Sequence, residues 1–360
     1  MPIETWQKRH EALKKLLPEN IPEDAVLYVT GGAKNFYIHV DIDGMILAQD
    51  MGFATLNGYS GNFPKAYPIM HPCRSYRERI QHYAKFAGLS EQETEEIAKR
   101  VVIIRLYPLK SAGKIELMSG HFGMTGLEYD RMYILVSKTG RFITARNHRN
   151  LLKVAVRRFD NGFEFSYAGK SPLFVADTLA PDASDIFKIW SDHVEMDIFH
   201  AYSSWFEDIA GEECMLCRWS RNSSRTASRP GHPDFPLLFT DGAPVYIVSE
   251  ASLNDLNRRL FQPVSMDSFR PTLVAGGAGP YEEDIWDVVC AGSAIFRRIE
   301  ESDKCPMVRL IPDTAESYPD GEPTATLRTY RNSERGVLFG SYYRVEQSGT
   351  VTCGDTVSVK

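Results

Sequence analysis

The chain has 360 residues, 43% of them hydrophobic and 24% charged, with a formal net charge of −6. Those proportions exclude a disordered, collagen-like or coiled-coil chain and set a prior of two or three domains. The acidic balance argues against a nucleic-acid footprint, and no apolar run reaches the roughly 18 residues that a membrane span needs.

In chain order, residues 4–17 carry apolar and charged side chains at helical spacing, closed by Pro18 and Asn20. AVLYVTGG (25–32) and NFYIHVDI (35–42) read as strands around a Gly-Gly break. A loop rich in Gly, Asn and Pro, 57–68, leads to helices predicted over 75–89 and 90–101, the second opened by a Ser90/Glu93 capping box. After residue 101 the texture changes to short β-rich runs separated by turns such as KTGR (138–141) and DNGF (160–163). A turn about every ten residues is the spacing of barrels and sandwiches, not of βαβ units. A helix is predicted over 197–211, and a polar Ser/Arg/Pro loop over 222–236. A second helix, 249–260, starts at Ser249 with Ser252 in its first turn, and strands resume from 261 to the end. The N-terminal segment lacks the apolar core of a secretory signal, so a cytoplasmic protein with reduced thiols is expected.

Several residues carry chemistry. LYPLKS (106–111) puts Lys110 and Ser111 at the exit of a strand, where an anion ligand or a plain exposed lysine are the two readings. Arg131 opens the strand MYILV, and Thr144-Ala145-Arg146 closes the next. Guanidinium groups at neighbouring strand ends suit a phosphate, because they bind it bidentately; the alternative is an ion pair with Asp130. Ser249 and Ser252 stand at a helix N-terminus, which is either an anion site or an ordinary cap. Arg270 precedes a rigidifying proline. Cys305 follows Lys304, whose charge favours the thiolate that attacks or binds a metal. Cys214 and Cys217 have half the spacing of a zinc site but no second pair, and read as strand cysteines. The glycine turns at 30–35 and 275–280 complete neither a P-loop nor a Rossmann fingerprint.

Taken in order, LYPLKS, GLEYDRMYILV and GRFITARNHRNL resemble the N-terminal β-barrel module of MOSC (molybdenum cofactor sulfurase C-terminal) domain proteins. VYIVSEASLNDLN, SFRPTLV, YEEDIWDVVCAGSAIFR, a lone Lys-Cys, LRTYR, VLFGSYY and GTVTCGDTV resemble the MOSC domain itself. The resemblance implies an α+β fold: a β-barrel MOSC core at 191–360 behind an N-terminal β-barrel module at 102–190. A small α/β accessory domain at 1–101 precedes both. It also implies a pterin-based molybdenum cofactor, with Cys305 on the metal. Lys110, Ser111, Arg131, Thr144, Arg146, Ser249, Ser252 and Arg270 would hold the phosphate and pterin. The implied activity is reduction of N-hydroxylated small molecules, with electrons from a separate electron-transfer protein. Asp284, in EEDIWD, is the candidate proton source, with a turn carboxylate as the alternative reading. Two other classes share the same residues: sulfur transfer through a Cys305 persulfide, and binding of a phosphorylated ligand without turnover. The sequence departs from its relatives around the cysteine. Ser302-Asp303-Lys304-Cys305 replaces their Cys-x-Arg-Cys, Val308-Arg309 their Thr-Thr, and Thr272 a common asparagine.

Overall fold

The computed structural model describes residues 99–360, Ser90, and two short strands, Val26–Leu27 and Ala54–Thr55, which pair in parallel. The chain divides into two units, Met1–Ala98 and Lys99–Lys360. The helices predicted over 4–17 and 75–89, the strand over 35–42 and most of the helix over 90–101 lie outside the described residues.

The second unit is rich in strands with few helices. The strands that position the site are, in chain order, β1 (Arg100–Leu106), β2 (Ile115–Leu117), β3 (Tyr133–Ser137), β4 (Phe142–Ile143), β5 (Ala183–Ile189), β6 (Asp192–Phe199), β7 (Cys214–Trp219), β8 (Val245–Ser249), β9 (Leu273–Gly276), β10 (Val288–Ala291), β11 (Ala294–Asp303), β12 (Gly336–Gln347) and β13 (Val357–Val359). A large sheet runs β13-β10-β11-β12-β8-β9-β1-β2, and a second runs β5-β6-β7-β3-β4. The turn at 190–191 joins β5 to β6 within that second sheet.

Local chemistry accounts for the pieces. β3 is buried at every position, and β7 and β4 pair with its two edges. A strand covered on both faces reads as a continuous apolar run. β8 and β9 are the parallel pair of the large sheet. A parallel pair needs a crossover, here the helix α2 (Glu250–Arg259) and the segment that returns through Arg270. β11 shifts register against β12 between Ile295 and Phe296, Arg298 and Glu300, and Glu301 and Asp303. Such irregularities bend a strand, and this one delivers Lys304 and Cys305 at its end.

The helix predicted over 197–211 forms only in its second half. Val194, Met196 and Ile198 alternate into the core, so β6 continues to Phe199 between β5 and β7. The Asp182 carboxylate then accepts from the His200 N–H, and α1 spans Ser203–Ala210.

One apolar cluster crosses the whole unit, joining Ile104, Tyr133, Leu135 and Phe165 to Val245, Phe296 and Tyr343. Phe122 and Phe296 meet edge to face at 5.1 Å. Each fully buried side chain of this size contributes about 1.5–3 kcal/mol. Gly126 (φ 103°) lies close against a distant stretch of chain: a Cβ there would lie 2.3 Å from the Pro244 carbonyl oxygen. No described helix is long and apolar enough to cross a membrane.

Candidate functional site

The segment after β1 is stitched to the start of β3. The Tyr107 N–H donates to the Asp130 carboxylate at 2.8 Å, and the Arg131 N–H donates to the Tyr107 carbonyl at 2.8 Å. The Lys110 N–H donates to the Tyr133 carbonyl at 2.9 Å. These bonds fix two cations side by side before any ligand arrives.

They open onto a cavity of about 310 Å³. Seven of the residues singled out from the sequence line it: Lys110, Ser111, Arg131, Thr144, Arg146, Arg270 and Cys305. Three of those seven hold left-handed backbone: Ser111 (φ 72°), Arg131 (φ 48°) and Arg270 (φ 57°). Non-glycine residues adopt that conformation rarely and at a cost, and such strain gathers at functional sites. Arg229, Lys304, Asp241, Glu300 and Asp303 also line the cavity, giving six basic side chains against three carboxylates in a chain of net charge −6.

The cations differ in how they are held. Lys110 is 8% exposed, and its ammonium donates to the Phe239 carbonyl at 2.8 Å and to Asp241 at 2.6 Å. Burial pushes that ammonium below the ordinary lysine range, with Asp241 opposing. Burial would raise the Asp241 carboxyl, but Lys110 and then Arg146 hold it below the ordinary range. Arg146 reaches Asp241 at 3.5 Å and also interacts with Cys305. The Arg131 guanidinium pairs with the buried Asp130 and donates to the Arg270 carbonyl at 3.2 Å. Arg270 keeps one buried nitrogen, Nη2, with no hydrogen-bond partner. Burial pushes its guanidinium down to about 10, and it still carries its charge at neutral pH. Thr240 lines the same cavity with a buried hydroxyl that also has no partner. Both residues line the cavity, so each brings an unpaired buried polar group beside it, and buried polar groups are rarely left unpaired without a reason.

At the other end, Cys305 is half-buried at the entry of a short 3-10 turn, Pro306–Arg309. The Lys304 ammonium lies 3.8 Å from the centre of the Tyr246 ring and 5.7 Å from that of Tyr342. Its enclosure there lowers it to about 7. Among the described residues, no cluster of three or more His, Cys, Asp or Glu side chains gathers to hold a bare ion. Cys214 and Cys217 lie buried on β7, where burial pushes both thiols up to about 12.

Three predicted residues lie elsewhere. Ser249 caps α2, accepting from the Ala251 N–H at 3.1 Å and donating to the Gly279 carbonyl. Ser252 is fully buried; it accepts from the Tyr281 N–H at 2.7 Å and donates to Glu283 at 2.6 Å. The start of α2 is therefore spent on the 279–283 loop and not on a ligand. Asp284 is paired with Arg331 and accepts from Ser341 at 3.2 Å, and it does not line the cavity. Asp241, which sequence reasoning missed, is the cavity carboxylate that pairs with both Lys110 and Arg146. Its only signal was an Asp-Gly turn just before β8.

The loop that captures Ser252 has its own pH dependence. Glu283 is fully buried, and burial, with Asp284 adding to it, raises its carboxyl to about 7. A raised folded value stabilises the protein below the unfolded value, near 4.5, and that contribution is lost as pH rises through about 7. Glu283→Gln is expected to flatten the stability profile between those limits. It should stabilise the protein above pH 7 by at most about 3 kcal/mol, which denaturant titration at pH 5 and pH 8 checks.

The MOSC N-terminal beta barrel domain model matches residues 98–213, and the MOSC domain model matches residues 234–358. The chain is 28% identical over 271 residues to mitochondrial amidoxime reducing component 2 of Bos taurus, covering 70% of this chain and 80% of that one. It is 29% identical over 273 residues to the molybdenum cofactor sulfurase of Oryza sativa subsp. japonica, covering 70% of this chain and 33% of that one. The solved YUAD protein of Bacillus subtilis aligns at a TM-score of 0.34 and 11% identity, over 72% of this chain and 93% of its own. With both domain models matched in tandem along one strand-rich unit, the protein belongs to the MOSC family, as a MOSC N-terminal β-barrel domain followed by a MOSC domain.

Proposed function

We propose that the chain binds a pterin-based molybdenum cofactor in this cavity and uses it to reduce N–O bonds of N-hydroxylated compounds. The observation that carries the reading is the convergence of Lys110, Arg131, Arg146 and Arg270 with a half-buried Cys305 thiol in one space. Four cations, with an orphaned Arg270 nitrogen and the hydroxyls of Ser111 and Thr144, fit a phosphate and a polar ring. A lone cysteine fits a soft metal that arrives with ligands of its own. The similarity to an amidoxime reducing component supports the choice of substrate class.

The cofactor supplies the two-electron chemistry, and the chain supplies binding, orientation and electrostatics. Cys305 would bind the metal. Arg131 and Arg270 would hold the phosphate, while Asp241 fixes Lys110 and Arg146 so that neither swings out. Reduction of an N-hydroxyl group to the amine consumes two electrons and two protons and releases water. The electrons would come from a separate electron-transfer protein.

The test is metal analysis on protein made in a host that synthesises the cofactor, with released pterin read by fluorescence. About one molybdenum per chain, and reduction of benzamidoxime with a viologen donor, are the expected results. Protein carrying neither metal nor pterin would sink the reading.

A further inference from the structure

Tyr107 is 1% exposed and does not line the cavity, yet Arg131 and Arg270 both rest on its ring. The Arg131 guanidinium carbon lies 4.3 Å from the centre of its ring, and that of Arg270 lies 4.1 Å from the same centre. Two like charges brought this close repel, and burial adds to the cost of holding them charged. An aromatic face attracts guanidinium groups through its quadrupole. The phenol oxygen is buried without a hydrogen-bond partner, so the ring carries the contact and the hydroxyl does not. The Tyr107 backbone is pinned separately, through Asp130 and the Arg131 N–H, so changes to the side chain leave the segment anchored.

We infer that Tyr107 is a positioning residue whose ring holds Arg131 and Arg270 together as one receptor for a doubly charged phosphoryl group. The inference rests on the anion-binding half of the proposed function. It adds that the two guanidinium groups act as a coupled unit, so the ring's electron density sets their joint affinity.

The experiment uses the full-length chain from a host that cannot make the cofactor, with inorganic pyrophosphate as the probe in titration calorimetry. Tyr107→Phe keeps the face and loses an unsatisfied hydroxyl, so its affinity should stay within about twofold of the parent. Pentafluorophenylalanine at position 107 keeps the shape and reverses the quadrupole, and it should weaken binding about tenfold. Arg270→Ala should then cost less in the fluorinated background than in the parent. A fluorinated protein that binds as tightly as Tyr107→Phe would overturn the inference, as would a Tyr107→Phe protein that binds as poorly as the fluorinated one. Absence of pyrophosphate binding by the parent would instead overturn the anion-site reading beneath it.

Discussion

Cys305→Ala is expected to yield a folded protein without molybdenum and with N–O reduction lowered roughly a thousandfold or more, as removal of an essential reacting group does. The fold should not notice. Cys305 makes no side-chain cap bond to the turn it opens and is only half-buried, so its loss should move stability by no more than about 0.5 kcal/mol. Metal content, pterin fluorescence and a melting curve on the same sample check all parts. Retained pterin with lost metal would separate the two ends of the cavity, since the cations remain in place. A variant that reduced benzamidoxime at the parent rate would remove Cys305 from the chemistry altogether.

The second large effect distinguishes the two arginines that share Tyr107. Each charge-assisted contact to a phosphate is worth about 1.5–3 kcal/mol, so Arg131→Ala or Arg270→Ala should weaken cofactor retention roughly tenfold to a hundredfold, and the double variant should abolish it. Their effects on the empty protein should be opposite. Arg131 neutralises Asp130, which is 2% exposed, and its removal strands a buried carboxylate at a cost of about 3–5 kcal/mol. Arg270 has an unsatisfied nitrogen and a like-charged neighbour, so Arg270→Ala should leave the empty protein's melting temperature unchanged or raised. Melting curves of cofactor-free protein, set against molybdenum content after expression with cofactor, read both quantities. Equal destabilisation by the two substitutions would contradict the account of Arg270 as strain held for a ligand.

Much of this was legible in the sequence because motifs keep their order while their geometry stays local. Lys-Ser after a Tyr-Pro strand, Asp-Arg before a buried strand and Phe-Arg-Pro before another each place a cation at the end of a strand, and all three meet at the cavity. Asp241 was not legible, because its partners lie 131 and 95 residues away and nothing in a turn of Asp and Gly announces them. Ser249 and Ser252 lie outside the cavity for a reason that is local but equally silent. A helix start rich in hydroxyls looks the same whether its free amides face a ligand or the protein's own loop, and here Glu283 and Gly279 decide. Asp284 fell to Arg331 in the same way. The strand-rich architecture followed from turn spacing, whereas the hairpin through 190–191 depends on cross-strand pairing that periodicity does not encode.

Six of the side chains that line the cavity, Lys110, Arg131, Arg146, Asp241, Arg270 and Cys305, come from six separate stretches of chain, and none of them lies within a strand or helix. Such a site has no local embryo. It exists only after the long-range strand pairings have closed, and pairings of that kind are the slow step of folding. A ligand that binds there recognises the finished molecule alone, so it stabilises the native state by an amount set by its concentration relative to its Kd. Protein loaded with ligand should then outlast empty protein under proteolysis.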